Sequence, residues 1–372
     1  MLIYRKKQFF NKNNFIDKIF KLDWTLLFVV LLICTIGFGA LYSASDGNLS
    51  PWALNHFYRT LLGFFVVIII SQLNTNLILN NSYTLYIFCI VCLIYVNIFG
   101  SGAVKRWIDL KLFFFQPSEL TKIAIILFLA KFFRDFPNKP NSLAHCFISF
   151  VIVIIPTYMV INQPDLGTGF MLFLLGVTLI FLNGLSFKII FSLLFLILAA
   201  MPFIWQSLYD YQKLRILVFL NPKLDSLGTG YQIMQSKIAI GSGGVLGKGF
   251  LLGSQSRLDF LPEKHTDFIF TLIAEEMGFL GSIFVLFLFF VLLILLFKYF
   301  LEENDFTKKL IIFGVSVLLF LYITLNIGMV SGLVPVVGAP LPFISHGGTS
   351  LLTAFIGIGL VQNIRINSKL EK

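Results

Sequence analysis

Long apolar runs alternate with short polar turns along almost the whole chain. A run of about 20 apolar residues is long enough to cross a bilayer as a helix, and no soluble core needs so much apolar surface. The pattern therefore predicts an all-α polytopic membrane protein with about ten transmembrane helices. We place these helices at 25–44, 57–73, 82–99, 117–133, 143–161, 168–182, 189–205, 267–297, 310–330 and 349–361.

Composition supports this class, since 58% of the residues are hydrophobic and 12% are charged. The formal net charge of +10 does not indicate a nucleic-acid partner, because Lys and Arg in a membrane chain chiefly fix topology. A basic amino-terminal stretch precedes the first apolar run, which is too long for the core of a signal peptide. Both termini are therefore expected in the cytoplasm. The four cysteines fall in or beside apolar runs, which favours buried thiols.

A single transmembrane domain is expected over residues 1–372. Within it, 1–24 form a cytoplasmic basic tail, 206–266 a large extracytoplasmic loop between helices 7 and 8, and 362–372 a cytoplasmic tail. Seven Lys and Arg residues crowd the loop. They are either ordinary solvated charges or groups that hold an anionic ligand on the outer face.

The stretch LDFLPEKHTDFIFTLIAEEMGFLG, residues 258–281, turns from a charged loop into an apolar helix. Thr266 is the expected N-cap, with Asp267 in the first helical turn. Asp267 either stabilises the helix start or carries chemistry at the membrane surface. Glu275 and Glu276 lie about 12 to 14 Å further along, at about 1.5 Å per residue. We expect them to serve helix packing or a polar interior network.

Other polar positions leave two interpretations open. Glu119 and Lys122 are three residues apart and either form an ion pair or shape a polar cavity. Asp165 is either a turn residue that caps the sixth helix or part of a site. The glycine-rich stretch 241–249 lacks the context of a phosphate loop, because Lys248 is followed by glycine. A flexible re-entrant loop is the expectation there, with an anion-binding nest of amides as the alternative.

Four blocks, in chain order QPSELTKIAIILFLAKFF, INQPDLGTG, GSGGVLGKGFLLGSQSRLDFLPEKHTDFIFTLIAEEMGFLG and GAPLPFISHGGTSLL, resemble the signature blocks of the SEDS family of peptidoglycan polymerases. The resemblance covers nearly the whole chain, and the blocks follow the expected order on ten helices. SQSRLDFLPEKHTDF and LIAEEMGF are more similar to the elongation members than to the division members. His346 departs from the pattern, since the family usually has tyrosine before the two glycines.

The resemblance implies a glycosyltransferase that polymerises lipid II at the outer face of the bacterial plasma membrane, for elongation and cell shape. Lipid II is a disaccharide-peptide on undecaprenyl pyrophosphate, so apolar helices, outer cations and one interfacial carboxylate match its parts. Because HTDF aligns with the family's catalytic block, Asp267 is the expected general base. The expected substrate-binding residues are Arg106, Glu119, Lys122, Asp165, Arg215, Arg257, His265 and Ser345.

The resemblance also implies a divalent cation, Mg²⁺ or Mn²⁺, although no ligand set is legible in the sequence. The chain contains no SxxK nucleophile motif. By resemblance, its partners are a class B penicillin-binding protein, a transpeptidase, and other membrane proteins of the elongation complex. Two rival functions stay open: a carrier of lipid-linked precursor that uses the intramembrane charges, and a non-catalytic scaffold of the wall-synthesis complex.

Overall fold

The computed structural model of the protein describes residues 15–100, 106–109, 111, 114–137, 143–184, 187–225, 228–257, 260–261 and 263–371. Within these ranges the chain is almost entirely helical. The helices are α1 (Phe15–Phe20), α2 (Trp24–Ala44), α3 (Trp52–Gln72), α4 (Thr75–Asn80), α5 (Ser82–Phe99), α6 (Pro117–Asp135), α7 (Leu143–Ile161), α8 (Leu166–Leu182), α9 (Phe187–Ser207), α10 (Asp210–Leu220), α11 (Thr229–Ser242), α12 (Ser254–Arg257), α13 (Ile269–Glu302), α14 (Phe306–Val330) and α15 (Gly348–Glu371). A 3-10 turn (Pro222–Asp225) follows α10, and strands β1 (Ile108–Asp109) and β2 (Phe114–Phe115) pair antiparallel before α6.

Each of the ten predicted transmembrane helices coincides with a helix of the structure: α2, α3, α5 to α9 and α13 to α15. In the described part of the chain, seven helices are long and apolar enough to cross a membrane, and α8 is apolar but shorter. α6 is less apolar because five of its 19 residues are charged. The all-α, multi-pass architecture is confirmed, and the count of ten spans stays a prediction.

Burial distinguishes the central helices from the helices at the periphery of the molecule. α14 and α15 bury most of their side chains, whereas α3 and α5 bury few of theirs. The exposed side chains of α3 and α5 are largely apolar, as expected for surfaces that face lipid. The centre of the molecule therefore lies around α14 and α15.

The segment 206–266, predicted as a large loop, is itself partly helical, since it contains α10, α11 and α12. α11 is anchored to two long helices. The hydroxyl of Ser236 donates to the carbonyl of Val330 in α14 at 2.5 Å and lies 3.1 Å from the Thr271 hydroxyl of α13. This part of the segment is packed against the helical core.

α13 is interrupted at Gly278, whose φ is 66° and ψ is −160°. An interruption within a membrane helix frees backbone groups that hydrocarbon cannot satisfy. The glycine-rich segment, defined here as residues 243–253, occupies the gap. The amides of 248–249 donate to the carbonyls of 275–276, at 3.0 Å in both cases.

Hydrogen bonds also run from α13 to the glycine-rich segment. The amides of Phe279 and Leu280, just past the break in α13, donate to the carbonyls of Gly244 and Val245 at 2.9 and 3.2 Å. The glycine-rich segment thus restores the hydrogen bonds that the break removes. The expectation of a flexible loop is wrong here, because four backbone bonds fix the segment to α13.

Glycine is required where the two backbones meet. A Cβ atom on Gly247 would lie 2.0 Å from the carbonyl oxygen of Glu276, and one on Gly243 would lie 2.1 Å from that of Ala274. Gly247 also has a φ of +82°, which L side chains rarely adopt. A larger residue at these positions would push the segment away from the helix.

Glu275 and Glu276 are buried at this contact, and both have partners. Oε1 of Glu275 accepts from Nζ of Lys248 at 2.7 Å and from the amide of Gln255 at 2.9 Å. Oε1 of Glu276 accepts from the hydroxyl of Ser43 in α2 at 2.5 Å. The polar interior network expected from the sequence is confirmed.

Substitution of Gly247 by alanine tests the fit between the segment and the helix. Gly247→Ala should lower the unfolding temperature of the purified protein, because the new methyl group overlaps a carbonyl oxygen and the backbone is left-handed. Thermal unfolding in detergent, followed by intrinsic fluorescence, provides the measurement.

Gly241→Ala is the matched control. Gly241 lies in α11 with open space around its Cα, so alanine should leave stability unchanged or raise it by about 0.5 to 1 kcal/mol. Equal unfolding temperatures for the two variants would contradict the fit described above.

Candidate active site

Asp267 lies in a turn before α13, one residue ahead of the N-cap position, Phe268. The amide of Phe268 closes the turn by donating to the carbonyl of Glu263 at 3.2 Å. The hydroxyl of Thr266 donates to the Glu263 carboxylate at 2.8 Å. No side chain caps α13, and no acidic residue stands in its first turn. The predictions that Thr266 is the cap and that Asp267 lies in the helix are wrong, because both residues lie in this turn.

α14 fixes the backbone of the turn through one amide side chain. Nδ2 of Asn326, a fully buried residue, donates to the carbonyl of Asp267 at 2.9 Å and to the carbonyl of Ala339 at 2.6 Å. Ala339 belongs to the segment that connects α14 to α15, residues 331–347. Asn326 thus joins the Asp267 turn to this connecting segment.

The connecting segment makes two further bonds to the turn. The hydroxyl of Ser345 donates to the carbonyl of Thr266 at 2.6 Å and accepts from the amide of Leu341 at 2.8 Å. The amide of His346 donates to the carbonyl of His265 at 2.9 Å. Ser345, a candidate substrate contact, is buried and positions the backbone beside Asp267.

Asp267 lines a cavity of about 220 Å³. Arg106, Glu119 and Asp165 line the same cavity, so the structure brings four of the candidate residues together. Gly338 of the connecting segment forms another wall, and a Cβ atom there would lie 3.4 Å from the Asp267 carboxylate. The cavity therefore presents one carboxylate beside an arginine and two further acidic side chains.

Arg106 reaches the cavity from the chain before β1. It donates to the carbonyls of Gln163 and Pro164, and its Nε lies 3.8 Å from Oδ2 of Asp165. Asp165 caps α8, since its Oδ1 accepts from the amide of Thr168 at 3.2 Å. The predicted cap is confirmed, and the same carboxylate also faces the cavity.

Glu119 and Lys122 form the predicted ion pair, with 2.6 Å between Oε1 and Nζ. Both are buried within α6, and the hydroxyl of Tyr322 from α14 contacts both of them. Glu119 and Tyr322 line the cavity, so the pair also shapes its polar wall. The two interpretations of these residues are compatible.

A second group of rings lies at the amino-terminal end of α3. The ring of His265 stacks on Trp52 with 4.2 Å between centroids and 7° between planes. Nε2 of His346 lies 3.2 Å from Nη1 of Arg59, and the rings of His265 and His346 are 6.0 Å apart. Because arginine only donates, His346 accepts this bond as a neutral imidazole. His346 lines the cavity.

The remaining two candidates come from segment 206–266. Nη1 of Arg215 in α10 donates to the carbonyl of Val336 at 3.1 Å, and its charge acts on Asp267. Arg257 is the last residue of α12, and its side chain lies outside the described residues.

The pKa of Asp267 is raised to about 7. Burial is the main cause, and the neighbouring negative charges of Glu263 and Asp165 add to it. Arg215 and Arg106 act in the opposite direction and favour the ionised form. A carboxyl with a pKa near the working pH is suited to accept and release a proton.

The sequence did not reveal three residues that build this site. Tyr322 and Asn326 are four residues apart on α14 and therefore share one helix face. Arg59 is the one residue of α3 with a charged Asp, Glu, Lys or Arg side chain. In each case the available signal was a polar side chain inside an apolar run, which usually has a partner or a task.

The described residues include no group of three or more His, Cys, Asp or Glu side chains that could hold a metal ion. The cavity carboxylate of Asp165 lies beside Arg106, and that of Glu119 pairs with Lys122. These side chains do not fit a cation held by the protein alone.

The sequence matches the FtsW/RodA/SpoVE family of cell cycle proteins over residues 21–370. It is 40% identical over 365 residues to the peptidoglycan glycosyltransferase MrdB of Escherichia coli K12, covering 97% of each chain. It is also 35% identical over 360 residues to stage V sporulation protein E of Bacillus subtilis, covering 92% of this chain and 96% of the relative.

Solved structures share the fold. A chain from a peptidoglycan synthase complex, described by its structural coordination of polymerization and crosslinking, superposes with a TM-score of 0.81 at 29% identity, covering 93% of this chain and 98% of that one. A mutant of the rod shape determining protein RodA from Thermus thermophilus superposes with a TM-score of 0.68 at 26% identity, covering 92% and 97%.

The raised pKa of Asp267 predicts how stability depends on pH. The folded-state pKa of about 7 lies above the ordinary value of 3.8, so the stabilising contribution of the protonated form is lost as pH rises through 7. Asp267→Asn, which cannot ionise, should therefore gain stability relative to the wild type between pH 5 and pH 8. Between pH 5 and pH 8 the gain grows by about 3 kcal/mol, at about 1.4 kcal/mol for each of the two pH units below the folded-state pKa of about 7.

Unfolding temperatures of the two proteins at pH 5, 6, 7 and 8 provide the test. If the difference in unfolding temperature stayed constant from pH 5 to pH 8, the carboxyl of Asp267 would titrate outside this pH range.

Proposed function

The chain belongs to the FtsW/RodA/SpoVE family of cell cycle proteins, and we propose that Asp267 is the general base with which it polymerises lipid II. The peptidoglycan glycosyltransferase activity and its role in cell elongation follow from the nearly full-length similarity to MrdB and the fold shared with RodA. The protein is accordingly a multi-pass membrane enzyme.

The proposed reaction is a single displacement at the anomeric carbon of the donor. The 4-hydroxyl oxygen of the acceptor sugar forms a bond to this carbon, and the bond to the diphosphate oxygen breaks. The diphosphate leaves with the bonding electron pair, and the hydroxyl proton passes to the Asp267 carboxylate. One displacement inverts the configuration at the anomeric carbon.

One carboxylate is enough for this chemistry. Glycosidases use two because an alkoxide leaving group needs a proton. A diphosphate leaves without one where cations screen its charge. The observation that carries the proposal is the placement of Asp267 in a cavity lined also by Arg106, with a pKa near 7.

The other candidate residues have supporting roles in the proposal. Arg106 and Arg215 lower the cost of ionising Asp267 and contact the saccharide or phosphate. Asp165 and Glu119 form the polar wall of the acceptor and donor sites, and Lys122 holds Glu119 there by an ion pair.

His265, Ser345 and Arg257 complete the proposed set. His265 and Ser345 orient the Asp267 turn through their backbone and hydroxyl bonds. Arg257 is proposed as a further saccharide or phosphate contact. A divalent cation, Mg²⁺ or Mn²⁺, would take its ligands chiefly from the substrate's diphosphate.

The membrane arrangement of the proposal follows the charge pattern. One transmembrane domain spans the chain, with tails 1–24 and 362–372 in the cytoplasm of a bacterium and segment 206–266 outside the inner membrane. A glycan made by this chain alone would not be crosslinked. We therefore propose a class B penicillin-binding protein as transpeptidase partner, within an elongation complex of membrane proteins, supported by the similarity to a chain of a peptidoglycan synthase complex.

A carrier of lipid-linked precursor is the alternative favoured by one observation, the buried Glu119 and Lys122 pair. A carrier would move lipid between leaflets and form no polymer. A non-catalytic scaffold would do neither.

Polymerisation by the purified protein tests the proposal. The wild type, given fluorescent lipid II, should make long glycan strands. Asp267→Asn should reduce the initial rate by about 10² to 10⁴ fold, the usual contribution of general base catalysis. Gel separation of the strands gives the rate.

Asp210→Asn is the control, because it removes an exposed carboxylate from the same outer segment. It should polymerise at the wild-type rate. If folded Asp267→Asn made strands at the wild-type rate, Asp267 would not be the general base.

The pH dependence of the rate provides a separate test. Only ionised Asp267 accepts a proton, so kcat/KM should fall about tenfold from pH 8 to pH 6 with an apparent pKa near 7. Initial rates at saturating and limiting lipid II give the profile. A flat profile over this range would exclude a titrating base with this pKa.

A further inference from the structure

Arg59 lies in α3, a helix that is long and apolar enough to cross a membrane and that buries few of its side chains. It is seven residues after the first residue of the helix, or about 10 Å along it at about 1.5 Å per residue. Arginine at such a depth is costly unless it has a partner or a task.

Arg59 differs in its partners from three other arginines of the chain. Arg106, Arg134 and Arg365 each lie within 4 Å of a carboxylate. Among the described residues, no carboxylate lies within this distance of Arg59, and its polar contact is the neutral ring of His346. The guanidinium thus carries a positive charge that no acidic side chain of the described chain neutralises.

We propose that Arg59 binds the diphosphate of the lipid-anchored substrate, on the membrane side of the cavity that contains Asp267. This inference rests on the proposed function, because only a lipid-linked sugar diphosphate needs a cation at this point. It assigns the diphosphate to a residue outside the cavity wall.

One layer of residues separates Arg59 from the cavity. His346, which accepts from Arg59, lines the cavity itself. Gly348 also lines it, and a Cβ atom there would lie 3.5 Å from Cζ of Arg59. A substrate bound over His346 and Gly348 would place its sugar beside Asp267 and its phosphates beside Arg59.

Exposed apolar side chains neighbour Arg59 along α3. Phe57, Tyr58, Leu61 and Leu62 of α3 are all at least 47% exposed. The diphosphate of a lipid-linked sugar lies between the sugar and the prenyl tail. A cation between an apolar helix face and a sugar cavity matches this order of parts.

The other outer arginines are less available for this task. Arg106 donates to two backbone carbonyls and lies beside Asp165, and Arg215 donates to the carbonyl of Val336. Their charges already act on Asp267. When it turns toward a phosphate, Arg59 gives up only a hydrogen bond to a neutral imidazole, which is weaker than a bond to a carboxylate.

Binding of undecaprenyl pyrophosphate to the full-length protein in nanodiscs tests the inference. Arg59→Gln should weaken this binding about tenfold or more, the loss expected for a charge-assisted contact, and should leave the binding of uncharged undecaprenol unchanged. Arg59→Lys should restore part of the affinity. With lipid II, Arg59→Gln should raise KM by a larger factor than it lowers kcat.

Arg134→Gln is the matched control, because Arg134 is a partly exposed arginine with its own partner, Asp135. It should bind both lipids as the wild type does. An affinity of Arg59→Gln for undecaprenyl pyrophosphate within about twofold of wild type would overturn the inference. If the wild type made no strands from lipid II, the proposed function would fail, whereas intact polymerisation with unchanged binding would remove only the role of Arg59.

A measurement on the wild type avoids dependence on the folding of any variant. Undecaprenyl pyrophosphate should slow the modification of Arg59 by phenylglyoxal, followed by peptide mass spectrometry, and undecaprenol should not. Equal protection by phosphatidylglycerol at the same mole fraction would overturn the assignment, because the site would then bind any lipid phosphate. Equal modification under all conditions would also overturn it.

Discussion

The Asp267 carboxyl retains its proton at pH values where an exposed aspartate is fully ionised, because burial and the charges of Glu263 and Asp165 oppose ionisation. Arg106 and Arg215 limit this effect and leave the group with a pKa of about 7. The fold loses stability when this carboxyl ionises, and the same environment gives the carboxylate its strength as a base. Stability and the proposed chemistry therefore make opposite demands on this side chain.

Such an environment is useful only if the carboxylate has a fixed position. Three bonds to neighbouring parts of the chain provide it: the Asn326 amide on the carbonyl of Asp267, the Ser345 hydroxyl on that of Thr266, and the His346 amide on that of His265. All three reach backbone carbonyls, so they hold the turn without neutralising the acid. The side chain of Asp267 is left to the cavity.

Hydropathy predicted the helices well, because a bilayer imposes the length and composition of each span. It did not predict the start of α13, since the choice between an N-cap and a separate turn depends on the bond from Thr266 to Glu263. Asp165 was predicted correctly as a cap because capping is local. Tyr322 and Asn326 were missed because their partners, Glu119 and Ala339, are set by packing between helices that no local pattern reports.

The contact between the glycine-rich segment and α13 has a consequence for how this chain can change in length. Each of the four backbone bonds pairs one residue of 244–249 with one of 275–280, so adding or deleting a single residue within either stretch breaks the register between these pairs. Insertions in this protein lineage should therefore collect elsewhere in segment 206–266. A chimera that exchanges this segment between relatives would need to carry both halves of the contact together.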